Sequence, residues 1–294
     1  MAENEWLADQ FEKHRAHLRG VAYRMLGSVA EADDAVQDSW VRLSRAGADD
    51  VDNLGGWLTT IVARVSLNML RARKARREEQ FGIHVPDPIL TREGELSPEE
   101  QVLLADSVGL ALLVVLETLT PAERLAFVLH DVFELPFEEI APIVERTPAA
   151  ARQLASRARR RVKGAEVSTP GVDQAKRWEV VDAFFAAARA GDFDGLVAVL
   201  DPDVVLNADF GPKHPEASRV LRGIPAVAKQ ARPVPGSELH HVIVNGAPGV
   251  VITVRGRPLA ILAFTVADGK IVEIDGIADS DRVRRIAGSV VRFD

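Results

Sequence analysis

Residues 119–163 read LTPAERLAFVLHDVFELPFEEIAPIVERTPAAARQLASRARRRVK, and they decide how the rest of the chain is understood. Thr120-Pro121-Ala122-Glu123 is a helix start: an N-cap hydroxyl, a proline suited to the first turn and an early carboxylate. It predicts a helix over 121–133. PFEEIAPIV gives a short helix that ends at the turn Glu145-Arg146-Thr147, and Thr147-Pro148 opens the next one. Pro142 falls inside the short helix, where an interior proline costs about 3 kcal/mol, so that helix is expected to start late, kink or stay short. The helix after it lies in 145–164, where seven residues are Arg or Lys and one is Glu. Ala149, Ala150 and Ala151 are small enough to let its first turn approach another surface closely. Helix, tight turn and basic helix is helix-turn-helix grammar, in which the second helix enters the major groove by its N-terminal residues. Arg152 and Gln153 would reach base edges there, since Arg pairs with guanine and Gln with adenine. Arg157, Arg159, Arg160, Arg161 and Lys163 would meet phosphate, which positions a protein without specifying sequence. A solvated helix face is the alternative for any such charge run.

That basic stretch sits in an acidic chain of formal net charge −7, so local rather than total charge decides the partner. A length of 294 residues predicts two or three domains, and 47% hydrophobic with 27% charged residues is ordinary for globular protein. The absence of cysteine excludes disulfides and thiolate metal sites. No metal or cofactor motif is present, so none is expected. No apolar run approaches twenty residues, and MAENEWLADQFEKHR lacks the basic-then-apolar order of a signal peptide. A cytoplasmic protein without membrane contact is the expectation.

Outward from 119–163, residues 1–78 form a first helical domain. Ser28 and Glu31 fit a capping box opening SVAEADDAVQDSWVRLSRA, with Ala32, Val36, Trp40 and Leu43 near one face and Asp33, Asp34, Gln37 and Asp38 elsewhere. After the loop AGADDVDNLGG, a helix begins near Gly56, its apolar face holding Leu58, Ile61, Val62, Val65, Met69 and Leu70. Residues 79–96, with Gly82, Pro86, Pro88 and Gly94, are a linker. Ser97-Pro98-Glu99-Glu100 starts a helix over about 97–117, and 97–164 is a second all-helical domain. A second linker, 165–172, contains the STPG break. From 173 to 294 the character changes to α+β: a helix near 173–190, short helices at 192–200 and 223–231, then HHVIVNG, GVVITVRG, PLAILAFTVADG and KIVEIDGIAD as an antiparallel meander.

The stretch 119–163 resembles region 4 of bacterial extracytoplasmic-function sigma factors. AEADDAVQDSWVRL is similar to their region 2.2, and GWLTTIVARVSLNMLRARKARRE to regions 2.3 to 2.4, in the right order and separation. The resemblance implies a dissociable RNA polymerase subunit that recognises promoter DNA. It implies a −35 element read by Arg146, Thr147, Pro148, Ala149, Ala150, Arg152, Gln153, Ser156, Arg157 and Arg160. It implies a −10 element met by Trp57, Arg64, Asn68, Arg71, Arg73, Lys74, Arg76 and Arg77, and core polymerase bound through Asp33, Asp34, Gln37, Asp38, Trp40 and Arg42. The chemistry agrees, because capturing unstacked bases needs a pocket, a stacking surface and cations, with loop 46–56 as the pocket. Core packing is the plainer role for Trp57 and Trp40.

The C-terminal segment resembles the SnoaL-like fold, a curved antiparallel sheet packed on helices, with WEVVDAFFAAARAGDFDGLVAVLDPDVVL as its opening helices. One group of these sigma factors carries such a domain. Its linker motif Trp-Leu-Pro-Glu-Pro is matched here by His84-Val85-Pro86-Asp87-Pro88, which keeps the prolines and the acid. Its Asp-Gly-Gly-Gly-Lys motif is matched by Asp209-Phe210-Gly211-Pro212-Lys213, and a late Asn-Pro-Asp-Lys-Leu motif by Asp279-Ser280-Asp281-Arg282-Val283. For that group the resemblance implies control by the fused domain, acting through Pro86, Asp87, Pro88, Asp209, Gly211 and Lys213, with no separate anti-sigma protein required. The alternatives are a DNA-binding regulator whose C-terminal cavity holds a small-molecule ligand, or an enzyme using Asp209, His240, His241 and Asp275. His240 and His241 are adjacent, so on a strand at most one faces a cavity.

Overall fold

The structure, a computed structural model, describes residues 2–46, 53–77, 83–92, 109–162 and 174–293. The Ser97-Pro98 start, the centre of loop 46–56, Lys163 and the STPG break lie outside the described residues, as do the side chains of Arg76 and Arg77.

Two compact units are present. The first takes in 1–79, 97–106 and 115–164; the second takes in 80–96, 107–114 and 165–294. The first is helical. Helices α1 (Ala2–Leu26), α2 (Val29–Ala46) and α3 (Leu54–Arg77) pack on one another through buried Leu18, Val21, Val36, Leu43, Leu58 and Val62. Half of the expected capping box forms at α2: the Glu31 N–H donates to Ser28 Oγ at 3.5 Å. The other half does not, because the Glu31 carboxylate accepts from Arg73 on α3 instead. A charged partner outcompetes a neutral backbone N–H for that carboxylate.

Helix α4 (Leu110–Glu117) precedes α5 (Pro121–Phe127), whose capping box is complete: Glu123 N–H donates to Thr120 Oγ1, and Thr120 N–H donates to Glu123. The helix expected over 121–133 widens at Val128–Val132 into a π-helical turn. Arg124 is 2% exposed, and its Nε donates to the Arg24 carbonyl on α1 at 3.2 Å while Nη1 meets Glu117 at 2.8 Å. Helix α6 (Phe137–Val144) contains Pro142 yet is only eight residues long. Shortness is one of the three expected ways to accommodate that proline, and the helix has it. Glu145 then turns left-handed (φ 57°) to close the helix, and Thr147 caps α7 (Pro148–Val162) by accepting from Ala150 N–H at 3.3 Å.

In the second unit, α8 (Gln174–Ala190) and α9 (Phe193–Val199) cover a sheet whose four central strands are those predicted: β4 (Ser237–Val244), β5 (Ala247–Val254), β6 (Arg257–Ala267) and β7 (Lys270–Ile277). Asn245-Gly246 joins β4 to β5 with both residues at positive φ, the two-residue turn whose twist suits a hairpin. Three further strands enlarge the meander: β1 (Leu90–Thr91), β2 (Leu200–Asp209) and β3 (Arg219–Arg222), in the order β1-β4-β5-β6-β7-β2-β3. The stretch LDPDVVL is therefore strand, not the end of the opening helices. Pro202 disguises it, and an irregularity between Leu200 and Val205 absorbs it while β2 runs parallel to β7. A short helix α10 (Ile224–Ala228) and a C-terminal α11 (Ser280–Ala287) complete the unit. Between α8 and the sheet the interior is filled by Trp178, Val181, Phe184, Leu196, Val250, Phe264 and Ile274.

Candidate nucleic-acid interface and linker clamp

Helix α7 separates its residues by face. Ala151, Ala155 and Ala158 are fully buried, which lets the helix approach its neighbours closely. Arg146, Thr147, Pro148, Ala149, Arg152, Gln153, Ser156, Arg157 and Arg160 are exposed, and Ala150 is half-buried. The small residues that seat the helix against its own domain are thus Ala151, Ala155 and Ala158. The Arg152 guanidinium lies 5.1 Å from the Phe137 ring centroid, and the His130 ring stacks on Phe137 at 3.9 Å. Three of the expected phosphate-meeting cations have carboxylate partners: Arg157 and Arg161 on Glu123 at 3.1 Å each, and Arg159 on Asp131. Arg160 makes no ion pair with a described residue. Burial alone would raise the Glu123 carboxyl; hydrogen bonds from Thr120 and the charges of Arg161 and Arg157 outweigh it and hold it below its ordinary value.

On α3, Arg64, Asn68 and Arg71 recur at helical spacing on one exposed stripe with half-buried Trp57 at its start, and Lys74 is exposed beside it. Arg73 stands apart. It is half-buried and bound to the Leu26 carbonyl at 3.0 Å, to Glu31 and, at 3.6 Å, to Glu117. On α2, Asp33, Asp34, Gln37 and Arg42 are exposed and Asp38 half-exposed. Asp33 is paired with Arg19 and Asp38 with Arg42, while the Trp40 ring packs 5.2 Å from Phe11.

The described part of the first linker, 83–92, lies in the second unit and is bound there residue by residue. Val85, Pro86, Pro88 and Ile89 are buried. Asp209, at the end of β2, accepts from Val85 N–H at 2.9 Å and from Gly211 N–H at 2.8 Å, and lies 3.2 Å from His84 Nδ1. Arg282 on α11 completes the cluster: Nη1 donates to Asp209 at 2.7 Å, Nη2 to the Val85 carbonyl and Nε to Asp87. Arg285 adds a second contact to Asp87 at 2.9 Å. Burial would raise the Asp209 carboxyl, but the His84 hydrogen bond, the Arg282 charge and two backbone N–H groups drive it far below the usual carboxylate range. Gly211 sits at φ +76°, and a Cβ there would come within 2.2 Å of Asp279 Oδ2. Asp279 in turn caps α11 by accepting from the Arg282 N–H at 2.9 Å, so Gly211 admits the residue that orients Arg282. Further on, Ile89 and Asn245 exchange hydrogen bonds at 2.7 and 3.0 Å, and Leu90-Thr91 pairs with β4 as an added strand. Lys213 takes no part; it meets Asp281 on the surface at 2.7 Å. His84, Asn245, Arg282 and Arg285 are clamp residues outside the set chosen from sequence.

Family models match three stretches in order: sigma-70 region 2 at residues 10–76, sigma-70 region 4 at 109–162 and a SnoaL-like domain at 181–274. The ECF RNA polymerase sigma factor SigJ of Mycobacterium tuberculosis is 39% identical over 287 residues, 93% of this chain and 92% of its own length. The chain belongs to the ECF RNA polymerase sigma factors. A probable ECF sigma factor of the same organism, SigI, is 34% identical over 93% of each chain. The crystal structure of SigJ matches with a TM-score of 0.71 at 34% identity, covering 94% of this chain and 97% of that one. This sigma factor therefore has two helical sigma domains followed by a SnoaL-like α+β domain with a mostly antiparallel sheet, and it serves promoter-specific transcription initiation. Family membership makes it a regulator of transcription, and each of the rival catalytic groups has a partner of its own. Asp209 holds the linker, His241 stacks on Trp178 beside α8, and His240 meets Thr253 from the opposite face of β4. Asp275 is buried against Asn207. No helix among the described residues is long and apolar enough to cross a membrane.

Proposed function

We propose that this sigma factor is governed by its own C-terminal domain, which grips the linker joining its two sigma domains. The domain limits in this reading are 1–78, 97–164 and 173–294, joined by linkers 79–96 and 165–172. The exposed face of α7, from Arg146 to Arg160, reads the −35 element, and Arg152 and Gln153 supply the base contacts. The α3 stripe of Trp57, Arg64, Asn68 and Arg71, with Lys74 beside it, meets the −10 element, and the exposed acids of α2 meet core polymerase. Arg73 acts indirectly, by holding α3 to its neighbours.

One observation carries the regulatory part: Asp209 and Arg282 together engage both the backbone and the acid of the 85–87 segment. A tethered domain sees its docking segment at high effective concentration, so it needs no separate anti-sigma protein to control the linker. The domain has no catalytic role in this reading. Reconstituted transcription with core polymerase, comparing the full chain with truncations after residues 165 and 285, tests it. Loss of residues 166–294, and with them Arg282 and Arg285, is expected to change polymerase binding or start-site use; identical behaviour of all three chains would sink the regulatory assignment.

A further inference from the structure

The turn between α5 and α6 is irregular in a way that chain reversal alone does not require. An α-helix would close its bonds four residues back, but Phe133 N–H donates to the Val128 carbonyl at 3.2 Å, five residues back. Leu135 N–H reaches further still, to Leu129 at 2.9 Å, and Glu134 is left-handed at φ 56°. A left-handed residue other than glycine is uncommon, and π-helical turns are frequent at functional sites. The extra residue re-aims the side chains that the turn carries, and the one it carries inward is His130. His130 Nδ1 donates to the Leu135 carbonyl at 2.9 Å, and the half-buried ring stacks on that of Phe137 with centroids 3.9 Å apart. Phe137 is 7% exposed and opens α6. Over its ring stands the guanidinium of Arg152, from α7, at 5.1 Å.

Arg152 is therefore held differently from its neighbours on the same helix. Arg157, Arg159 and Arg161 have carboxylate partners, which occupy N–H donors. A guanidinium over a ring is held by its π-face, so its in-plane fork of N–H groups stays free for a base edge. Orientation matters because an arginine free to swing meets phosphate as readily as guanine, and phosphate carries no sequence information. We infer that His130 is a positioning residue for promoter reading: anchored by the turn, it fixes the Phe137 ring that presents Arg152 to the −35 bases. His130 has this role only if Arg152 contacts bases, as proposed above.

The test is titration of the full chain against a duplex carrying the −35 element of a mapped start site, and against its single-base-pair variants. Arg152→Ala is expected to lower preference at one or two base pairs by about fivefold or more. His130→Asn keeps a donor for the Leu135 carbonyl but removes the ring, and preference at those same base pairs should fall about two- to fivefold. His130→Phe, which keeps the ring, should retain most of it. In an Arg152→Ala background His130→Asn should cost nothing more, a coupling that a merely structural role would not produce. The salt dependence of binding should be unchanged in the His130 variants, since no phosphate contact is lost. A second measurement needs no variant to fold: the Arg152 Nε–H order parameter should exceed that of exposed Arg160 in the unaltered protein. Equal order at the two arginines, no loss in His130→Asn, a loss spread over all base pairs, or the same loss with and without Arg152 would overturn the inference. Those outcomes leave Arg152 as a base-reading residue. If Arg152→Ala itself leaves preference intact, that assignment falls, and the role of His130 falls with it.

Discussion

Two clusters in this sigma factor use the same chemistry, an arginine against carboxylates, in different surroundings. In the linker clamp, Arg282 is 9% exposed and Asp209 3%. On the recognition helix, Arg157 and Arg161 stay 49% and 52% exposed while sharing Glu123. Water decides what each pair is for. A buried guanidinium cannot leave its partners without stranding two charges, so the clamp is a lock. A half-exposed one can exchange its carboxylate for another anion at little cost, and in the proposed reading α7 keeps these cations in reserve for phosphate.

The largest effect is expected at the lock. Arg282→Ala leaves Asp209 buried without its cation and removes the donor to the Val85 carbonyl. Breaking a buried pair on one side costs about 3–5 kcal/mol. Hydrogen exchange should show residues 85–91 released, with the sheet still protected. If they stay protected, strand pairing alone holds the linker. The pH dependence follows from the Asp209 carboxyl being held far below its ordinary value. Its contribution is complete above the unfolded carboxylate range, near pH 4, and is lost only as pH falls below that range. With His84 replaced by Asn, which removes the one imidazole in the cluster, linker protection should therefore be the same at pH 5.5 and pH 8.

Next in size is Arg152→Ala, which removes a base-reading candidate from the open face of α7. A lost bidentate base contact is worth about 1–3 kcal/mol of discrimination. Binding to a −35 duplex should lose sequence preference while its salt dependence changes little, as measured by titration against matched and mismatched duplexes. Phe137→Leu sharpens this: it keeps Arg152 but removes the ring beneath it, so a smaller loss of preference is expected if stacking orients the guanidinium. Equal preference in all three proteins would move base reading to other residues.

What was legible in the sequence was local. Thr120 and Thr147 announce their helices because a cap acts within one turn, and Asn245-Gly246 announces its hairpin because the turn needs only two residues. The buried face of α7, Ala151, Ala155 and Ala158 at helical spacing, was there to be read but went unread beside the run 149–151. The illegible parts depend on distant partners. Strand β2 contains Pro202 and three acids and becomes a strand only because β7 and β3 pair with it. Two residues at 90–91 have no strand signal until β4 offers its edge. Arg73 has the look of one more DNA-facing cation in a basic run, yet Glu31 and Glu117 claim it from 42 and 44 residues away. Arg282 reads as a loose match to a family motif, and only burial reveals it as the centre of the clamp.

Asp275 extends the comparison to a buried carboxylate without a cation. It lies beside Glu273 on β7, and the single Asn207 amide donates to both, at 2.8 and 2.7 Å. Burial first, and the neighbouring Glu273 charge second, push its carboxyl well above the ordinary range, the reverse of Asp209. The folded chain thus keeps a proton that the unfolded chain releases near pH 4, so this residue's effect on stability worsens as pH rises. Asp275→Asn should melt above the unaltered protein at pH 8, with the gain shrinking towards pH 5. A melting difference independent of pH would show that Asp275 is not protonated in the fold.

The smallest effect tests the reserve cations. Glu123→Gln removes the charge shared by Arg157 and Arg161 but preserves the capping box, since Gln serves at that helix position as Glu does. Freed arginines should strengthen binding to any duplex rather than to the promoter alone. Each additional phosphate neutralised steepens the dependence of log affinity on log salt by about 0.9, so a change of roughly one to two is expected from the two side chains. Sequence preference should not rise with affinity, because phosphate contacts carry no sequence information. An unchanged salt slope would mean that Arg157 and Arg161 belong to the fold of the domain and not to its DNA surface, and the contrast between lock and reserve would fail at its weaker end.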